Sequence, residues 1–157
     1  MLRSWIDRLA SWQGACPFVP HVTLLTSASG PKIKTAPLGA AVGCLQPLSI
    51  ELEGLADTSE YFRCLVLVLK RSEAFDSFKS RLAAALGSTS LQASYRPHLS
   101  LLYASLGPRD RRTLRERVTI ELPLRIVISD LWLVDTTSHD PSSWVPIQRW
   151  SLLSENS

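Results

Sequence analysis

A six-residue segment occurs twice in this chain, as Pro20-His21-Val22-Thr23-Leu24-Leu25 and as Pro97-His98-Leu99-Ser100-Leu101-Leu102. Four positions are identical, and the other two exchange Val for Leu and Thr for Ser, so size and polarity are kept. The second copy starts 77 residues after the first in a chain of 157. A short repeat at half-chain spacing predicts one domain, residues 1–157, made of two similar lobes that each supply one copy to a shared groove. The proline at the head of each copy and the apolar run behind it predict strands over Phe18–Thr26 and Pro97–Tyr103.

Side chains alternate across a strand, so His21 and Thr23 leave one face while Val22 and Leu24 leave the other. His98 and Ser100 oppose Leu99 and Leu101 in the same way. Each copy presents an imidazole beside a hydroxyl over an apolar underside. The third histidine, His139, stands in the turn-forming run Thr137-Ser138-His139-Asp140-Pro141 and reads as a surface residue.

Around these strands, the spacing of Trp5, Ile6 and Leu9 predicts a helix over residues 2–13, stopped by Gly14. Thr35 to Cys44 reads as a short helix with Pro37 in its first turn. Leu48 to Glu53 alternates as a half-exposed strand, and Tyr61 to Leu69 holds the denser apolar run of a central one, the two pairing as an antiparallel ribbon. Ser72 is placed to cap a helix that buries Phe75, Phe78, Leu82 and Leu86 and ends at Gly87. Pro108 opens a charged helix to about Val118, and strands follow near 122–128, 130–136 and 144–151. Hairpins mixed with helices, without strict strand-helix alternation, predict an α+β fold with mainly antiparallel sheets and helices outside.

Composition narrows the function class. Apolar residues make up 45% and charged residues 20%, the balance of a globular protein. No run approaches the roughly eighteen apolar residues of a membrane span, so no membrane partner is expected. The N-terminus is broken by Asp7 and Arg8 too early for a secretory signal, and it reads as a surface helix rather than a mitochondrial presequence. Net charge is +3 and the pI near 9.0, which suits a small anionic ligand and falls short of a dedicated duplex binder. Cys16, Cys44 and Cys64 show neither metal-ligand nor disulfide spacing, so no metal and a reducing, cytoplasmic setting are expected.

The arginines at 109, 111, 112, 115 and 117 crowd one short helix and read as a solvated face rather than an RNA contact. Trp12, Trp132, Trp144 and Trp150 read as core rather than as stacking platforms.

Two imidazoles on opposite sides of one phosphorus suit in-line opening of a cyclic phosphate. A base takes a proton from the attacking water while an acid gives one to the leaving oxygen. Histidine fills both roles near neutral pH. The hydroxyls of Thr23 and Ser100 are placed to donate to non-bridging phosphate oxygens. The scheme needs no cofactor.

Two His-x-[Ser/Thr] motifs in one small chain resemble the 2H phosphoesterase superfamily. The segments Phe18 to Leu25, Tyr61 to Leu67 (Tyr-Phe-Arg-Cys-Leu-Val-Leu) and Pro97 to Ala104 are similar to its cyclic phosphodiesterase branch from plants and yeasts. The resemblance implies a bilobal fold of two sheets facing a central groove. It implies hydrolysis of ADP-ribose 1″,2″-cyclic phosphate to the 1″-phosphate, a side step of tRNA splicing, and of nucleoside 2′,3′-cyclic phosphates to 2′-phosphates. The roles it implies are acid and base for His21 and His98, phosphate binding for Thr23 and Ser100, and substrate contact for Tyr103.

Strand parity qualifies the last role. Tyr103 lies an odd number of residues from His98 and reaches the groove only if the strand bends or ends near Leu102. Members of the family also begin with a strand before the first helix, whereas this chain starts in helix at Leu2. Two alternatives therefore stand beside the cyclic phosphodiesterase: a 2H enzyme acting on RNA ends, as 2′,3′-cyclic phosphates or 2′,5′-linkages, and a nucleotide-binding module without catalysis. A monomer with a small cyclic nucleotide as its ligand is expected, with RNA the less favoured partner.

Overall fold

Gly14 ends the first helix by a turn of its backbone that other residues resist. The computed structural model describes residues 1–26, 35–87 and 96–152, and in it helix α1 runs Leu2–Gln13. Gly14 follows in the left-handed conformation, at φ 61°, and its N–H donates to the Ala10 carbonyl. The helix buries Trp5, Ile6, Leu9 and Ala10, the face that the apolar spacing marked out.

The remaining elements are α2 (Thr35–Val42), β1 (Leu48–Asp57), β2 (Leu65–Leu69), α3 (Glu73–Ala85), β3 (His98–Leu102), α4 (Pro108–Arg117), β4 (Leu124–Ile128), β5 (Asp130–Asp135) and β6 (Val145–Ser151). Four strands form a sheet in the order β3-β2-β1-β4, and β5 pairs with β6 in a second sheet. The pairings β1–β2, β2–β3 and β5–β6 are antiparallel, so the expected α+β class with antiparallel sheets is the one observed. Among the described residues no helix is long and apolar enough to cross a membrane.

The chain divides into two compact units. The first takes Met1–Thr23, Glu51–Lys70 and Arg96–Leu124, and both His tripeptides lie in it. Its core is the face of α1 against β3, with Leu65, Val66, Leu67 and Leu69 of β2 and Leu99, Leu101 and Leu102 of β3 all buried. Near-continuous apolar runs of this kind belong to strands covered on both faces.

The second unit takes Leu24–Ile50, Arg71–Tyr95 and Arg125–Ser157. Ser72 caps α3 as the sequence indicates, its hydroxyl accepting from the Phe75 N–H at 3.2 Å. Helix α2 packs on α3 and reaches β6. There Gly39 is required by proximity, since a Cβ at that position would meet Trp150 Nε1 at 3.1 Å.

Three expectations need correction. The segment Phe18–Thr26 is not a laddered strand: it makes one isolated bridge, Val22 to Leu99. Pro17 and Pro20 offer no N–H, which interrupts a ladder at its start. Tyr61–Leu69 is not one strand either, because Tyr61–Arg63 forms a 3-10 turn before β2. Thr58 closes that turn, accepting from the Glu60 N–H at 3.1 Å and donating to the Arg63 carbonyl at 2.9 Å. Finally, Trp12 and Trp132 are not core: they are 44% and 52% exposed, each under an arginine, Arg117 and Arg149 respectively. The loop expected at 27–31 and the polar connection at 88–95 lie outside the described residues.

Candidate active site

The single bridge between Val22 and Leu99 joins the central residues of the two tripeptides in an antiparallel pair. The same register sets His21 across from Ser100 and Thr23 across from His98. Both imidazoles and both hydroxyls thereby leave one face of the pair, while Leu99 is buried beneath. The sequence repeat becomes a local two-fold arrangement.

Each imidazole is oriented by the same short bond. His21 Nδ1 lies 2.7 Å from the Val19 carbonyl and His98 Nδ1 lies 2.9 Å from the Arg96 carbonyl. In both cases the partner is the carbonyl two residues back, which is a consequence of the shared backbone path through X-Pro-His. A carbonyl only accepts, so Nδ1 donates in both bonds and Nε2 is left as the atom that gains or loses a proton.

Tyr103 reaches this face. The β2–β3 register shifts between Leu65/Leu102 and Val66/Ser100, leaving Leu101 as an extra residue, and β3 ends at Leu102. The bulge and the strand end satisfy the condition that parity set. The Tyr103 hydroxyl lies 3.2 Å from His21 Nε2. Its ring stacks on Phe18, with centroids 3.8 Å apart and planes 10° apart, and Phe62 meets it edge-on at 5.3 Å. Only 4% of Tyr103 is exposed. Burial pushes its phenol well above the ordinary value, outweighing the pull of its hydrogen bond with Ser100, so the hydroxyl stays protonated.

Ser100 is buried as well, and its hydroxyl donates to the Phe62 carbonyl at 2.8 Å. Thr23 is half-buried just past the bridge. His139 is exposed in the β5–β6 connection, outside this unit.

His98 is half-buried and its proton affinity is perturbed. Burial lowers its proton affinity first of all. The Arg96 carbonyl works against that, Arg63 adds to the lowering, Glu60 opposes it, and the charge of His21 lowers it further. Arg63 pairs with Glu60 through Nη1 at 3.2 Å, while its Nε is buried without a hydrogen-bond partner among the described residues.

Phe18, Phe62 and Arg63 were not picked out as site residues from sequence. Their only signal was adjacency: Phe18 sits two residues before Pro20, and Phe62-Arg63 lies in the Tyr-Phe-Arg-Cys segment. Among the described residues no three His, Cys, Asp or Glu side chains gather as a metal site needs.

The sequence model of the 2′-5′ RNA ligase superfamily matches residues 13–140, which is most of the chain. This chain belongs to that superfamily, the 2H phosphoesterases. Membership sets the coarse class, an enzyme family acting on phosphodiester or RNA substrates. Solved structures agree on the fold. A structure described as a phosphoesterase superposes with a TM-score of 0.56 at 16% identity, covering 97% of this chain and 93% of its own. LigT of E. coli in its apo form gives 0.57 at 16% identity, covering 98% and 91%, and LigT complexed with 3′-AMP gives 0.56 at 17%, covering 98% and 92%. No curated protein sequence matches the chain.

Proposed function

We propose that this superfamily member hydrolyses cyclic phosphodiesters without a metal, taking nucleoside 2′,3′-cyclic phosphates to 2′-phosphates and ADP-ribose 1″,2″-cyclic phosphate to the 1″-phosphate. The observation that carries this reading is the bridge between Val22 and Leu99, which turns two distant tripeptides into one face bearing two imidazoles, each held through Nδ1 by a backbone carbonyl.

His98, whose proton affinity burial lowers, is neutral at pH 7 and serves as the base. It takes a proton from water as the water oxygen bonds to phosphorus. His21 gives its Nε2 proton to the ring oxygen as the P–O bond breaks and that oxygen keeps the electron pair. Thr23 donates to a non-bridging oxygen. A small nucleotide ligand, a monomer and a cytoplasmic setting go with this reading, with RNA a less favoured partner.

A second reading has its own support in the superfamily's description, which speaks of 2′-5′ RNA ligation. On that reading the substrate is an RNA end or a 2′,5′-linkage. LigT has been crystallised with 3′-AMP, ATP, NADP+ and phosphate, which motivates testing nucleotides first. The experiment is a panel of nucleoside 2′,3′-cyclic phosphates, ADP-ribose 1″,2″-cyclic phosphate, a short RNA ending in a 2′,3′-cyclic phosphate, and a 2′,5′-linked dinucleotide, with products separated by chromatography. Turnover of the free nucleotides supports the first reading. Turnover of RNA alone moves the assignment to the second, and binding of the panel without turnover leaves a nucleotide-binding module.

A further inference from the structure

The connection between β1 and β2 carries an arginine whose hydrogen bonding is incomplete. Arg63 donates through Nη1 to the two carboxylate oxygens of Glu60, at 3.2 and 3.4 Å, and that carboxylate is 62% exposed. Its Nε is buried with no acceptor among the described residues. A buried donor without a partner costs stability, and an exposed ion pair contributes little to set against it. The turn does not need the pair. Thr58 Oγ1 already bonds the Arg63 carbonyl and the Glu60 N–H, the Arg63 N–H donates to the Glu60 carbonyl at 3.0 Å, and the Thr58 N–H donates to the Cys64 carbonyl at 3.2 Å.

The same turn is fastened to the second tripeptide and its tail. The Ser100 hydroxyl meets the Phe62 carbonyl at 2.8 Å, the Ala104 N–H donates to the Tyr61 carbonyl at 3.1 Å, and the Phe62 ring stands edge-on to Tyr103 at 5.3 Å. Arg63 and the second motif thus belong to one compact unit, and the charges of Arg63 and Glu60 both act on His98. We propose that Arg63 is a phosphate-binding residue of this site, which leaves Glu60 to grip the phosphate of a bound nucleotide. Its side chain is 33% exposed, so the guanidinium reaches solvent, and the pair with Glu60 is the contact that opens. The planar edge formed by Nε and Nη2 matches two phosphate oxygens, which gives the buried donor an acceptor. A full positive charge then joins the hydroxyls of Thr23 and Ser100 around the phosphate, and Glu60 competes for it.

The inference rests on the reading that this face takes a phosphate ester, and its test separates the two. Inorganic phosphate and a nucleoside 2′-monophosphate are titrated into wild type, Arg63→Gln, Glu60→Gln and Arg3→Gln. The last removes one positive charge from an exposed ion pair on α1 and controls for net charge. Calorimetry gives the dissociation constants, and the ¹⁵Nε signal of Arg63 is followed in the wild type. Arg63→Gln is expected to weaken nucleotide binding about tenfold or more, the scale of a hydrogen bond to a charged group. Glu60→Gln should tighten it roughly twofold to fivefold, because an exposed competitor is gone. Arg3→Gln leaves it unchanged, and the wild-type Nε signal moves with both probes. A signal that stays in place, whether the probe binds elsewhere or not at all, overturns the proposal. So does a Glu60→Gln protein that binds no more tightly than wild type, or an equal loss in Arg63→Gln and Arg3→Gln. Should Arg63→Gln fail to fold, the wild-type signal and Glu60→Gln decide. If the wild type opens no cyclic phosphate while its Nε signal moves, the ring-opening reading fails and the phosphate-binding role of Arg63 stands.

Discussion

Val22 and Leu99 face each other across an isolated antiparallel bridge, and each is the central residue of its His-x-[Ser/Thr] tripeptide. The pairing makes Leu99 the floor of the site, 2% exposed and the second residue of β3. Leu99→Ala should cost about 2 to 5 kcal/mol, the transfer loss plus the cavity left behind. Urea unfolding followed by circular dichroism measures it. A loss below about 1 kcal/mol would mean that the floor collapses freely and does not hold the two segments in register.

The pH dependence should carry the mark of His98. Burial lowers its proton affinity from the ordinary value of about 6.5, so between that value and the lower folded one the unfolded chain binds more protons than the folded one. Stability is therefore full above about pH 6.5 and is lost as pH falls through the window toward the folded value. The Tm of the wild type should drop more steeply there than that of His98→Gln. In kinetics, the acid limb of kcat/KM should lie below the ordinary histidine value. An acid limb at or above it would remove His98 from the role of base.

Far from the histidines, the cap of α3 offers a control. Ser72→Ala removes the acceptor for the Phe75 N–H and should lower stability by about 1 kcal/mol. Activity per folded molecule should be unchanged, measured at a temperature well below the transition. A comparable loss of kcat would tie the α3 start to the chemistry.

Turnover should survive excess EDTA. Two imidazoles supply both proton transfers, and the described residues bring together no donor set of the kind a metal needs. Inhibition by chelation that a divalent cation reverses would contradict the mechanism.

The parts of the fold carried by short-range chemistry were readable from the chain. Gly14 and Ser72 mark helix ends because a left-handed turn and a side-chain cap are local devices, and the repeat located both histidines and hydroxyls. What the sequence hid depends on backbone atoms from elsewhere. The commitment of Ser100 to the Phe62 carbonyl spans 38 positions and has no side-chain partner to notice. The 3-10 turn at Tyr61–Arg63 looked like strand because its residues favour strands, while Thr58, three residues earlier, decides otherwise. Trp132 looked like core because β5 is apolar, yet it lies on the open side of a two-stranded sheet.

The central claim is that His21 and His98 work as one acid-base pair, and it is tested most directly by the rate at which wild type, His21→Ala, His98→Ala and the double variant open a nucleoside 2′,3′-cyclic phosphate, followed by phosphorus NMR. Each single change should lower kcat by roughly 10² to 10⁴, with the double variant little slower than the worse single one. Either single variant retaining wild-type turnover, or losses that simply multiply in the double variant, would contradict the pair.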